Sequence, residues 1–209
     1  MCFSERVSWT TLAASWTGCA AMASTGQPHL RAMAGFLALV GGMQLWEALL
    51  WRNTGCTPTN GALSNAGVIN NHLEPVALYA MSAMLLTPRS PAKARIAAIV
   101  MVAYAAVFAT LTVGFLRRPL ERRCTRLTDS GLAWQWNDYG KATDPAYLLF
   151  LAAFVTTTYA YMPPGYDHAM VAVTVASFAI SRAIYGSRGM TGSMWCFFAA
   201  LVPWLSFAM

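Results

Sequence analysis

An all-α integral membrane bundle of about seven helices is the architecture this sequence predicts, and three observations predict it. Of the 209 residues, 57% are hydrophobic and only 11% charged, with a mean hydropathy of +0.46, which is too apolar for a soluble domain. Apolar runs of ~20 residues, the length that crosses a bilayer, recur along the chain with short polar turns between them. The 14 basic residues fall mostly between those runs, where they set orientation. A net charge of +6 in a soluble protein would suggest nucleic acid, but here the loops account for it and no nucleic-acid partner is expected. The partner that the composition implies is the lipid bilayer.

The first run, 7–24, begins almost at Met1, with no basic region before it and no clean cleavage context after it, and reads as a retained span. Gly26 and Pro28 break the chain before the second, 32–51, which ends on Trp51 and Arg52, residue types suited to an interface. A polar loop with Cys56, Pro58 and Gly61 leads to the third, 65–86, where Pro75 frees a carbonyl near residue 71. The fourth, 96–116, is apolar throughout. The stretch 117–144 is the only long polar one, and a turn signal between two alternating segments predicts a small β-hairpin there. Its second strand would present Leu132, Trp134 and Trp136 on one face. Spans at 147–162, 170–185 and 192–209 complete a single transmembrane domain, with Pro163-Pro164-Gly165 as the break between the fifth and sixth.

Seven spans place the two ends of the chain on opposite faces. Arg31, Arg89, Lys93 and Arg95 then lie on one face, leaving ten of the 14 basic residues on the face of the N-terminus, which favours that face as cytoplasmic. The cysteines argue the reverse. Cys2, Cys56, Cys124 and Cys196 project to the same face, and disulfides among them need an oxidising compartment. Three readings of these four stay open: unpaired packing, disulfides, and a metal thiolate site, though no Cys-x-x-Cys spacing supports the last. Removal of Met1 would make Cys2 an amino-terminal thiol, a candidate nucleophile or chelate.

Candidate site residues come from the stretch 43–75, which sets ionisable groups at bilayer depth, where each charge costs at least ~2.5 kcal/mol without a partner. Gln44 and Glu47 share a helical face with Trp51 about one turn below the interface; Asn71 and Glu74 share a face by their spacing of three. His72 points about 100° away from Asn71. Glu47 can therefore meet His72 or the Asn71 and Glu74 pair, but hardly both. A structural alternative pairs Glu47 with Arg182 of the sixth span, as polar glue between helices. His29 and His168 lie by turns on the opposite face, and Asp167 with His168 reads as an interfacial cap rather than a metal pair.

The opening Met1-Cys2-Phe3-Ser4 with Ser8, the Gln44 and Glu47 pair before Trp51, Glu74-Pro75, Leu132-Ala133-Trp134-Gln135-Trp136 and Gly192-Ser193-Met194-Trp195-Cys196 lie along most of the chain. Together they resemble a small uncharacterised family of polytopic membrane proteins that open with Met-Cys-Trp or Met-Cys-Phe, found in bacteria, algae and large DNA viruses. The resemblance implies the same architecture and no particular chemistry. Where the family has Gln-Pro, this chain has Glu74-Pro75.

Covalent retinal is excluded as a partner, since its Schiff base needs a lysine inside the bundle and Lys93 and Lys141 both lie in loops. A buried zinc hydrolase would want about three histidines together, and His29 and His168 lie on the face opposite His72. No cofactor motif is recognised. The leading expectation is a site that binds or passes an ion, proton or small ligand at Gln44, Glu47, Asn71, His72 and Glu74. The alternatives are a structural subunit of a larger membrane complex and a membrane-embedded thiol or metal enzyme.

Overall fold

The computed structural model describes residues 4–128, 131–137, 143–186 and 190–207. Among the described residues eight helices carry the chain: α1 (Glu5–Ser24), α2 (Pro28–Trp51), α3 (Pro58–Leu85), α4 (Pro91–Leu116), α5 (Thr143–Tyr161), α6 (Tyr166–Tyr185), α7 (Thr191–Ala199) and α8 (Val202–Leu205). Most helices begin several residues before the apolar runs do, because the run marks the greasy stretch whereas capping chemistry marks the helix end. Thr57 Oγ1 accepts from Asn60 N (3.3 Å) and Ser90 Oγ from Lys93 N (3.2 Å), each with proline at the first helical position. Helix α3 runs through Pro75 without interruption.

Among the described residues the long-range bonds set successive helices side by side and antiparallel. Arg52, after α2, pairs with Glu5 at the start of α1 (2.5 Å), and Asn60 of α3 donates to Asn53 O (2.6 Å) at that same end. Arg89, before α4, donates its backbone N–H to Ala160 O of α5 (2.8 Å), and Arg182 of α6 pairs with Asp144 of α5 (2.8 Å). Gly165 turns the chain between α5 and α6 with φ of +90°, where a side chain would be strained. The last pass is α7 and α8 together. The continuous span expected over 192–209 is thus corrected: a turn at Ala200 and Leu201 divides it ahead of Pro203, which has no N–H to give a preceding carbonyl.

Among the described residues three helices, α2, α4 and α6, are long and apolar enough to cross a membrane. Helix α2 is central and mostly buried, whereas α4 and α6 turn apolar residues such as Ile99, Val102, Val175 and Ile180 outward. The middle of the bundle packs Phe36, Leu37 and Val40 of α2 against Leu78, Phe154, Met170 and Val202.

One end of the bundle is capped by the long polar stretch. Strands β1 (Arg126–Thr128) and β2 (Gly131–Ala133) pair antiparallel with Leu127 opposite Leu132, which is the small hairpin the sequence predicts. Leu132, Trp134 and Trp136 are all buried, although the strand stops at Ala133 and Trp136 sits on a 3-10 turn, folded back on Trp134 with ring centroids 4.7 Å apart. Gly67 of α3 makes room for this ring, since a Cβ there would lie 2.8 Å from Trp136. Gly67→Val is accordingly expected to cost about 2 kcal/mol by overpacking, read as a lower thermal midpoint in detergent, whereas Gly114→Val, with open space around it, should cost far less.

A disulfide between Cys56 and Cys124, Cα atoms 5.4 Å apart, ties the cap to the α2–α3 loop. Beside it the buried Asn60 side chain donates to Thr125 O (3.0 Å) and accepts from Thr125 N (2.9 Å), and Ser64 Oγ lies 2.9 Å from Thr125 Oγ1. Several arginines counted above as orientation signals are engaged here: Arg118 donates to Gln135 O (3.3 Å), Arg123 to Asn65 Oδ1 (3.2 Å) and Arg126 to Glu121 O (3.1 Å).

Candidate functional site

The structure separates the candidate residues into three environments. Glu47 is fully buried on α2 and accepts a 2.6 Å hydrogen bond from Ser193 Oγ of α7, with Gln44 buried one turn away on the same helix. Arg182 does not reach it. That guanidinium sits at the surface on Asp144, so the expected Glu47–Arg182 pair is corrected to Asp144–Arg182, for which partial exposure of both partners leaves only a modest contribution. Sequence reasoning identified Glu47 but not Ser193, whose hydroxyl is a full partner across the bundle.

His72 turns the other way. Its Nδ1 lies 2.6 Å from Thr112 Oγ1 of α4, its ring meets Phe108 edge-on at 4.7 Å, and its carbonyl accepts from Tyr104 Oη (2.9 Å). Because Thr112 Oγ1 is also 2.7 Å from Phe108 O, a hydroxyl donating there leaves Nδ1–H as the donor to Thr112. His72 thus clamps α3 to α4.

Asn71 and Glu74 are brought together as their spacing suggests: Asn71 Nδ2 donates to Glu74 Oε2 over a long 3.5 Å. Glu74 is 2% exposed, and its Oε1 is buried without a hydrogen-bond partner among the described residues. It lines a cavity of about 30 Å³ between α2, α5, α6 and the last pass, walled by Phe36, Val40, Phe154, Met170, Trp195 and Cys196. Thr174 and Ser177 line the same space; Ser177 Oγ accepts from Trp195 Nε1 (3.2 Å) and donates to Thr174 O (2.9 Å). Asn71 lines a second cavity, of about 20 Å³, with Ala146, Tyr147 and Gly192, and Phe150, Trp195 and Cys196 form the shared wall. A fully buried carboxyl with one idle oxygen beside empty space is a costly arrangement, about 1 to 3 kcal/mol for the unmade bond.

The cysteines resolve in part. Cys56 and Cys124 are bonded to each other, Cys196 is buried at the cavity wall, and Cys19 is a free buried thiol on α1. Cys2 lies outside the described residues, as do Lys141 and Arg188. Among the described residues no three His, Cys, Asp or Glu side chains gather as a metal would require. With two of the four thiols used in the bridge, the thiolate cluster lacks its donors.

At the end opposite the cap is a feature the sequence hinted at only in part. The Asp167 side chain is fully buried and its Oδ1 accepts from Gly165 N (3.0 Å), His168 N (2.7 Å) and His168 Nδ1 (2.7 Å), while Oδ2 takes Arg89 Nη1. The cap read at Asp167 and His168 is present; Arg89, 78 residues earlier, was missed as its counter-charge. Comparison with protein-family models, curated proteins and solved structures returns no match for this chain.

Proposed function

We propose that the chain is a polytopic integral membrane protein of seven helical passes whose interior site, centred on Glu74 and Asn71, binds or passes an ion, proton or small ligand. One observation carries this reading: the idle Oε1 of Glu74 facing a cavity in the middle of the bundle. Ionisable groups at membrane depth face the interior, and those that serve only as glue find partners there, as Glu47 does with Ser193. Glu74 has half of its hydrogen-bonding capacity unspent. The Met-Cys-Trp/Phe resemblance belongs to the same proposal and supports the architecture only.

Stability separates a working carboxyl from a structural one. Glu74→Leu, of similar length and apolar, is expected to raise stability by about 1 kcal/mol, because it removes an unmet acceptor from an apolar wall. Glu74→Gln should fold with little change. A loss of more than about 2 kcal/mol in the leucine variant, by chemical denaturation in detergent, would make Glu74 interhelical glue and sink the reading.

A second reading, a structural subunit of a larger membrane complex, draws on the outward apolar faces of α4 and α6 and on the groove between α3 and α4 lined by Ile69, Leu73, Val76 and Phe108. Lipid covers such surfaces equally well, so this reading stands second. The reading as a membrane-embedded thiol or metal-dependent enzyme stands third, with Cys2, outside the described residues, as its candidate nucleophile or chelate.

A further inference from the structure

The two interior cavities narrow what Glu74 handles. At about 30 and 20 Å³ each holds little more than one water, whereas pockets for small organic ligands run to ~300 Å³ or more. A hard cation such as calcium takes about six to eight oxygens. Among the described residues the polar side chains lining the first cavity are Glu74, Thr174 and Ser177, and the Ser177 oxygen is already engaged by Trp195 and the Thr174 carbonyl. Among the described residues no lysine, arginine, histidine or second carboxyl lines either cavity. A water and a proton fit the space and the donors, whereas an organic ligand of ordinary size or a cation that needs about six or more oxygens does not.

The geometry also gives the route a direction. Ala146 and Tyr147 belong to the first turn or so of α5, and Gly192 to the first turn of α7, so the second cavity lies about one turn below the surface pair Asp144–Arg182, toward the capped end. Asn71 and Tyr147 are only partly buried. Asn71 then links this cavity to Glu74 by its own side chain. Toward the far end lies an apolar cluster in which Met22, Met33 and Met162 are buried, and beyond it a hollow of about 440 Å³ lined by His29, Leu30 and Tyr166 opens at that end.

We propose that Glu74 carries an exchangeable proton that reaches it from the capped end, through the cavity beside Asn71. This deepens, and rests on, the reading of Glu74 as a working group. In the exchange one O–H bond of the carboxyl breaks as a proton passes to the adjacent water, and another forms as a proton returns, with no redox step.

The test is infrared spectroscopy of the full chain in lipid nanodiscs on transfer to D₂O. The difference between wild type and Glu74→Gln is expected to contain a carboxylic-acid carbonyl band that moves down as the acid is deuterated. Ala146→Leu, which fills the second cavity, should slow that movement by about tenfold or more. Gly192→Val fills it from α7 and should do the same, so a folding failure in one variant leaves the other decisive. No carboxylic-acid band in the difference spectrum would overturn the proton on Glu74, and an unchanged rate in both filled variants would overturn the route. Either failure leaves the stability of Glu74→Leu, which tests the site itself, standing on its own.

Discussion

Replacing Cys56 and Cys124 together by serine is expected to lower the stability of the bundle by about 4 kcal/mol. The bridge closes a loop of 68 residues, and the chain-entropy account of a cross-link gives that order for such a loop. The loop contains all of α3 and α4, so the cross-link removes freedom from a large part of the unfolded chain. Denaturation of the wild type with and without reductant should reproduce the same difference. Cys19→Ser, at a buried thiol outside the bridge, is the control that should not respond to reductant. A loss under about 1 kcal/mol in the double serine variant would mean that the Asn60 clamp on Thr125 holds the cap by itself.

The second large effect is expected at the far end. Arg89→Leu removes the guanidinium from a carboxylate whose side chain is fully buried, and breaking such a pair from one side costs about 3 kcal/mol. Asp167→Asn alone should also be destabilising, because the three donors on Oδ1 and the one on Oδ2 are arranged for a carboxylate. Combined, the two changes should cost less than their sum by about 1.5 kcal/mol or more, since the double variant has no stranded charge. Additive losses would reduce Arg89 to a surface residue that happens to lie near Asp167.

These two features show what a single sequence does and does not make legible here. Apolar runs and the turn signals at Gly26-Gln27-Pro28 and Pro163-Pro164-Gly165 located helices and their breaks, because greasy stretches and helix breakers are local properties, although among the described residues three helices rather than seven are long and apolar enough to cross a membrane. The hairpin was legible from alternation. The helix starts at Thr57-Pro58 and Ser90-Pro91 were visible as capping signals but were masked by reading hydropathy alone. Within the site, Asn71 and Glu74 found each other because three residues on one helix is a local relation. Glu47 and Ser193 are 146 residues apart, and their meeting depends on how α7 is rotated against α2, which no local pattern encodes. The same holds for Arg182: its depth suited Glu47, its direction suited Asp144.

The division of the last pass has a consequence for how the interior moves. Helix α7 has nine residues and α8 four, short enough that neither holds together by its own backbone bonds, so both depend on what they lean against. Amide protons there should exchange with solvent sooner than those of the long central helix α2, because the shortest cooperative unit opens with the least work. Trp195 and Cys196, which stand between the two cavities, are carried on that unit. The partition inside the protein, shared with Phe150 of α5, is therefore expected to open sooner than the long helices around it.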